Sequence, residues 1–134
     1  MWIFWLIVVL VLGFGAYVRL APSDPERWHV PLNVTEDRDL PGGAERVLPG
    51  EGDRLADLDR IARATPRTER LAGSVEEGRL TYITRTNLWG FPDYTTAERK
   101  DGDLMLHARL RFGRGDMGVN RARLDSWIRQ LHAG

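Results

Sequence analysis

The sequence predicts an α+β protein: an N-terminal transmembrane helix, then a small antiparallel sheet of about four strands with two helices packed on one face. Three observations carry this. Met1–Val18 is strongly apolar and has no charged side chain. In Leu104–Phe112 the apolar residues alternate, so Leu104, Leu106, Ala108, Leu110 and Phe112 share one strand face that has to be buried. After a glycine-rich turn, Leu124, Trp127, Ile128 and Leu131 recur at the i, i+3, i+4, i+7 spacing of an amphipathic helix able to cover that face.

Residues 1–20 read as the anchor. At 1.5 Å per residue, eighteen helical residues span ~27 Å, close to the ~30 Å of a bilayer hydrocarbon core. Trp2 and Trp5 sit near one end and Tyr17 near the other, where aromatic rings settle among headgroups, and Arg19 can snorkel from the end of the span. A cleaved signal peptide needs a basic leading region and a small-x-small cleavage site. The first is missing, and Gly13-Phe14-Gly15 is a weak form of the second, so a retained anchor is expected. Arg19, Arg27 and Arg38 after the span would favour a cytoplasmic domain if simply counted, but long domains translocate largely regardless of charge. The location expected is a bacterial inner membrane with the soluble domain in the periplasm.

Residues 21–52 read as a Pro/Gly-rich linker, with Pro22, Pro25, Pro31, Pro41 and Pro49 opposing sustained helix or strand. Two apolar islands, Trp28-His29-Val30 and Val47-Leu48, are expected to dock on the folded part. Residues 53–134 form the small α+β domain. Asp53 is a candidate N-cap for a helix carrying Leu55, Leu58, Ile61 and Ala62, which Thr65-Pro66 ends. Strands are expected over Glu69–Ser74, Arg79–Thr86 and Tyr94–Arg99, with Asp101-Gly102 as the hairpin turn into the Leu104 strand. The connections are too short for parallel crossovers, so the sheet is antiparallel. Asn120 fits as N-cap of the closing helix.

Composition narrows the functions more than it selects one. The 134 residues carry 19 basic and 19 acidic side chains, so no overall field draws the chain to nucleic acid, and no aromatic platform accompanies its arginines. There is no cysteine, hence no disulfide, thiolate nucleophile or thiolate-bound metal. His29, His107 and His132 lie far apart without metal-ligand spacing, so neither a metal nor another cofactor is expected. Ser74 and Ser126 have no triad setting. An enzyme would have to be built from Asp93, Asp116 and His107, the titratable groups available for a cleft.

Gly113-Arg-Gly115-Asp-Met-Gly118 copies the spacing of a dinucleotide-binding loop, but the chain has no room after it for the second parallel strand and ribose-binding acid. It reads as a tight strand-to-helix turn. Met105, His107, Arg109 and Arg111 occupy the outward strand face, and with neighbouring arginines such as Arg85 and Arg114 they are candidates for an anion patch. Leu88-Trp89-Gly90-Phe91-Pro92 is the most apolar loop of the soluble part, suited to a membrane surface, a partner's transmembrane helices or the core edge.

The stretch Thr84-Arg-Thr-Asn-Leu-Trp-Gly-Phe-Pro-Asp-Tyr-Thr95, followed by Ala108-Arg-Leu-Arg-Phe-Gly-Arg-Gly-Asp-Met-Gly-Val-Asn-Arg-Ala-Arg123, resembles the domain-of-unknown-function 1499 family. Ser23-Asp-Pro-Glu-Arg-Trp-His29 is similar to its proteobacterial, membrane-anchored members. The resemblance covers nearly the whole chain after the anchor. It implies a small α+β envelope or membrane-associated domain and no particular activity. If the family motif marks a site, Arg114, Asp116 and Asn120 are its positions, with Arg109 and Phe91 nearby by analogy and Trp89 on the adjoining loop.

The expected function is that of a membrane-anchored, non-enzymatic accessory or interaction protein, a subunit or partner of a larger integral membrane complex or envelope assembly. The alternative is a periplasmic module that binds lipid or a small anion.

Overall fold

The computed structural model describes residues 1–134. The strands are β1 Arg38–Leu40, β2 Gly43–Leu48, β3 Thr68–Ser74, β4 Arg79–Arg85, β5 Pro92–Lys100 and β6 Asp103–Leu110. The helices are α1 Trp2–Leu20, α2 Pro25–Trp28, α3 Leu55–Ala64 and α4 Val119–Ala133. One antiparallel sheet takes all the strands in the order β1-β2-β6-β5-β4-β3. The class is the α+β arrangement expected, with six strands in place of about four.

The two additional strands come from residues 21–52, which composition marks as linker. Pro41 falls in the β1–β2 turn and Pro49 just after β2, so neither ring removes a ladder hydrogen bond from within a strand. Gly43–Leu48 pairs with Leu104–Arg109 along its whole length and brings Ala44 and Leu48 into the core. At Gly43 an added Cβ would lie 2.1 Å from the Ala108 carbonyl oxygen, so the close approach of β2 and β6 there requires glycine. The folded unit therefore begins well before Asp53.

Alternation sorts the sheet residues onto two faces. Leu80 and Tyr82 of β4, Ala97 of β5, and Leu104, Leu106 and Ala108 of β6 meet Leu55, Leu58 and Ala62 of α3 and Leu124, Trp127 and Leu131 of α4. Trp127 is 1% exposed, packs edge-on against Tyr82 at 5.8 Å between ring centroids, and donates its indole N–H to Thr65 Oγ1 at 2.9 Å. Asp59 of α3 is buried but satisfied: the Tyr82 hydroxyl donates to it at 2.8 Å, and Arg70 and Arg63 lie at 2.7 and 3.0 Å. Both long helices of the soluble part lie on this face.

The other face is not open to solvent. The stretch from Pro22 to Val34 crosses it, with Trp28 stacked on Tyr94 at 3.9 Å between centroids and 11° between planes. His29 Nδ1 lies 2.9 Å from Thr81 Oγ1, Leu32 donates its backbone N–H to Glu98, and Leu32 and Val34 are buried. The Trp28 island thus docks as its apolar character suggests.

Two capping assignments differ from the sequence reading. Asp53 sits inside a single 3-10 turn, Gly52–Arg54, and α3 starts at Leu55 without a side-chain cap. At α4 the N-cap position is Gly118, in the left-handed region at φ 79°, and the carboxylate that accepts the first amides belongs to Asp116. Asn120 is one residue inside the helix, where its side chain is wholly buried. The glycine-rich turn is responsible, because its left-handed step at Gly118 swings Asp116 back under the helix end.

α1 is long and apolar enough to cross a membrane, and of its residues only Val18 is buried by the rest of the protein.

Candidate functional site

At one end of the sheet the β4–β5 loop and the β6–α4 loop both meet the C-terminal half of α1. The β4–β5 loop closes on itself: Thr86 N donates to Phe91 O at 3.0 Å, Phe91 N to Thr86 Oγ1 at 2.9 Å, and Gly90 N to Thr86 O at 3.1 Å. Gly90 turns the chain at φ 73°, a left-handed angle that glycine adopts freely. This leaves Leu88 and Trp89 at the tip, 76% and 41% exposed.

Arg19, in the last turn of α1, donates to Leu88 O at 2.6 Å and Trp89 O at 3.2 Å. Arg85 reaches from β4 to Gly90 O at 3.1 Å and to Val18 O at 3.5 Å. Aromatic contacts complete the junction. Phe14 meets Phe91 at 6.1 Å, Phe91 meets Phe112 at 6.2 Å, and Phe112 meets Tyr17 at 6.0 Å between centroids. Trp89 lies on Gly15, where a ring carbon would be 3.6 Å from an added Cβ. Nothing in the sequence order announces that Phe14 and Phe112 belong to one cluster.

Beneath the aromatics is a chain of buried polar groups. Asp116 accepts from the backbone N–H of Gly118 and of Asn120, each at 2.9 Å, and from Asn120 Nδ2 at 2.8 Å. Asn120 Oδ1 accepts from Arg123 at 2.6 Å, and Arg123 reaches Asp93 at 3.4 Å. Burial pushes the Asp93 carboxyl up from its ordinary range, with Arg123 beside it pulling the other way. Burial likewise lowers Arg123, opposed by Asp93. Asp93, Phe91, Phe112, Asp116 and Val119 line a cavity of about 380 Å³. The polar groups satisfy one another, which makes them a brace joining β5 to the start of α4.

Of the residues singled out from sequence, Trp89, Phe91, Asp116 and Asn120 gather here, together with Tyr17 and Arg19. Arg114 is on the same loop, exposed, with its guanidinium unpaired. Trp2 and Trp5 stand exposed at the far end of α1. Arg109 does not join them. It lies on the other sheet face, donating to Trp28 O, to Thr96 Oγ1 at 2.8 Å and to His107 O at 3.1 Å. Burial lowers it to about 10. The outward strand face that alternation assigned to an anion patch is covered by the chain's own Trp28 segment, so Arg109 fastens that segment and is not free for an anion.

A second cleft flanks the junction. It has a volume of about 530 Å³ and is lined by Arg19, Arg67, Arg85, Thr68, Thr86 and Glu69. Arg67 was not among the residues that sequence reasoning singled out, since it only follows the Thr65-Pro66 helix stop. The structure gives Arg67 a positive φ of 56° and has it donate to Arg85 O at 3.1 Å. No three His, Asp or Glu side chains in the structure converge as a metal site would require.

These features define a small α+β domain whose preceding apolar helix is fastened to two aromatic loops. The chain belongs to the family described as protein of unknown function (DUF1499), whose model matches residues 19–131. The match starts at Arg19, so it leaves most of α1 outside and includes residues 21–52, in keeping with the part those residues play in the sheet. No curated protein and no solved structure matches the chain.

Proposed function

We propose that this is a single-pass membrane protein, retained by α1 in a bacterial inner membrane with its domain on the periplasmic side. Its role is that of a non-enzymatic accessory or interaction module for a larger integral membrane complex. The observation that carries this reading is the fastening of the Leu88-Trp89 tip along α1. Gly15 precedes the end of the helix by five residues, so with α1 in a bilayer Trp89 sits ~7–8 Å inside the helix end, the level at which indole rings favour the interface. Leu88 and Met117 on the two junction loops are 76% and 100% exposed and Val119 at the start of α4 is 47% exposed, which offers a partner's membrane helices an apolar surface. A non-catalytic role is supported by the placement of the candidate reactive groups. Asp93 and Asp116 are engaged by Arg123 and by the α4 amides, while His107 lies on the opposite sheet face.

The full chain, expressed at native abundance and extracted in mild detergent, is expected to bring down a stoichiometric integral membrane partner. Leu88→Glu, at an exposed tip, is expected to release the partner without unfolding the domain. Recovery of a lone monomer, or mature chains that start near Ala16 and float free of vesicles, refutes the proposal.

A further inference from the structure

The cationic cleft and an apolar groove beside it share Arg19. The groove, about 420 Å³, runs along Val11, Leu12, Gly15 and Ala16 of α1 under Leu88 and Trp89. The cleft brings together three guanidiniums from separate parts of the chain, Arg19, Arg67 and Arg85. We infer that the two form one bipartite site for an anionic phospholipid, the phosphodiester held among Arg19, Arg67 and Arg85 and an acyl chain lying along α1 beneath Trp89.

The charges are available. No carboxylate lies within 4.0 Å of any of the three guanidiniums, and every hydrogen bond they make within the protein is to a neutral carbonyl: Leu88, Trp89, Val18, Gly90 and Arg85. Those carbonyls fix the direction of each planar fork and leave further N–H donors on each, the geometry that suits a phosphate. Glu69, which also lines the cleft, and the helix C-terminus behind Val18, with a partial charge of about −0.5, offset only part of three positive charges. The Thr86 hydroxyl accepts from Phe91 N and keeps its own O–H to donate. Arg67 is held at a positive φ, a departure that non-glycine residues make at a cost and that brings it over the Arg85 carbonyl. A free phosphate would use the cleft alone. The groove opening from the same arginine is what selects a lipid, because it places an apolar trough directly below the charge.

This inference rests on the reading of α1 as a retained membrane span. Native mass spectrometry of the full chain, delipidated in neutral detergent, separates the two ideas. The intact mass reports whether α1 is still attached, and lipid binding is read without any protein partner. The probes are phosphatidylglycerol, phosphatidylcholine of the same acyl chains, and glycerol phosphate. One phosphatidylglycerol is expected to bind at least about tenfold more tightly than phosphatidylcholine, whose identical phosphodiester carries a choline cation that the three guanidiniums repel. Arg67→Gln, at an exposed position, and the pair Arg67→Gln with Arg85→Gln are expected to abolish that preference, while Arg129→Gln on α4 leaves it intact. A preference smaller than this, or one that survives the double substitution in protein with unchanged near-ultraviolet circular dichroism, overturns the site. Competition by glycerol phosphate at concentrations similar to the lipid's overturns the assignment to a lipid.

Discussion

Lowering the pH toward 5 is expected to destabilise the domain through His107. This side chain sits on β6, opposite Glu45 of β2 and Thr96 of β5, on the face closed by the Trp28 segment, and is 26% exposed. Burial lowers its pKa to about 4, Arg109 next to it adds to that, Glu45 at 4.0 Å opposes it, and Arg38 adds a smaller push downward. An unfolded histidine titrates near ~6.5. Between those values the unfolded chain holds a proton that the folded chain does not, so stability rises with pH across the window and falls as pH drops from about 6.5 toward 4. At ~1.4 kcal/mol per unit the full effect is about 3 kcal/mol, and partial solvent access trims it toward about 2 kcal/mol. Urea unfolding of the full chain in neutral detergent micelles, followed by tryptophan fluorescence from pH 7.5 to 4.5, measures it. Asp93, raised by burial, works in the opposite sense at the acid end, so the informative quantity is the difference between parent and His107→Gln. The variant is expected to lose most of the slope between pH 6.5 and 4.5. An unchanged slope refutes the reasoning.

Truncating Trp127 to alanine removes the largest wholly buried side chain and the N–H that Thr65 accepts, and is expected to cost ~3–5 kcal/mol, enough to leave much of a domain this small unfolded. A loss below ~1 kcal/mol in the same urea assay contradicts the packing described. Asp116→Ala deprives three N–H donors at the start of α4 of their acceptor and is expected to cost ~1–2 kcal/mol, with amide exchange in residues 118–121 rising before that in β6. Asp116→Asn keeps an acceptor oxygen and is expected to restore part of that loss, whereas equal damage from both points to the charge alone.

Periodicity by itself determined much of this protein. The two-residue alternation of Leu104, Leu106 and Ala108 and the helical spacing of Leu124, Trp127 and Leu131 define faces that have to meet, and they do, whereas Leu110 and Phe112, in step with the same alternation, lie outside that core and line the junction cavity. The apolar length of Met1–Val18 likewise sets a helix able to cross a bilayer, whatever the rest of the chain folds into. Only the tertiary structure decided which surfaces remain free. Arg109 alternates outward, as a solvated or anion-binding residue would, but Trp28 comes from 81 positions earlier to cover it, and local pattern carries no record of so distant a partner. β1 and β2 were hidden by the prolines around them, because composition counts proline while pairing depends on where in the ladder it falls. The same holds at the α1 junction, where Arg19, Arg67 and Arg85 meet only because residue pairs separated by up to 70 positions are hydrogen-bonded together. The sequence sets which face of each element is apolar through short-range geometry. Which arginines share a cleft is set by chain closure over long separations.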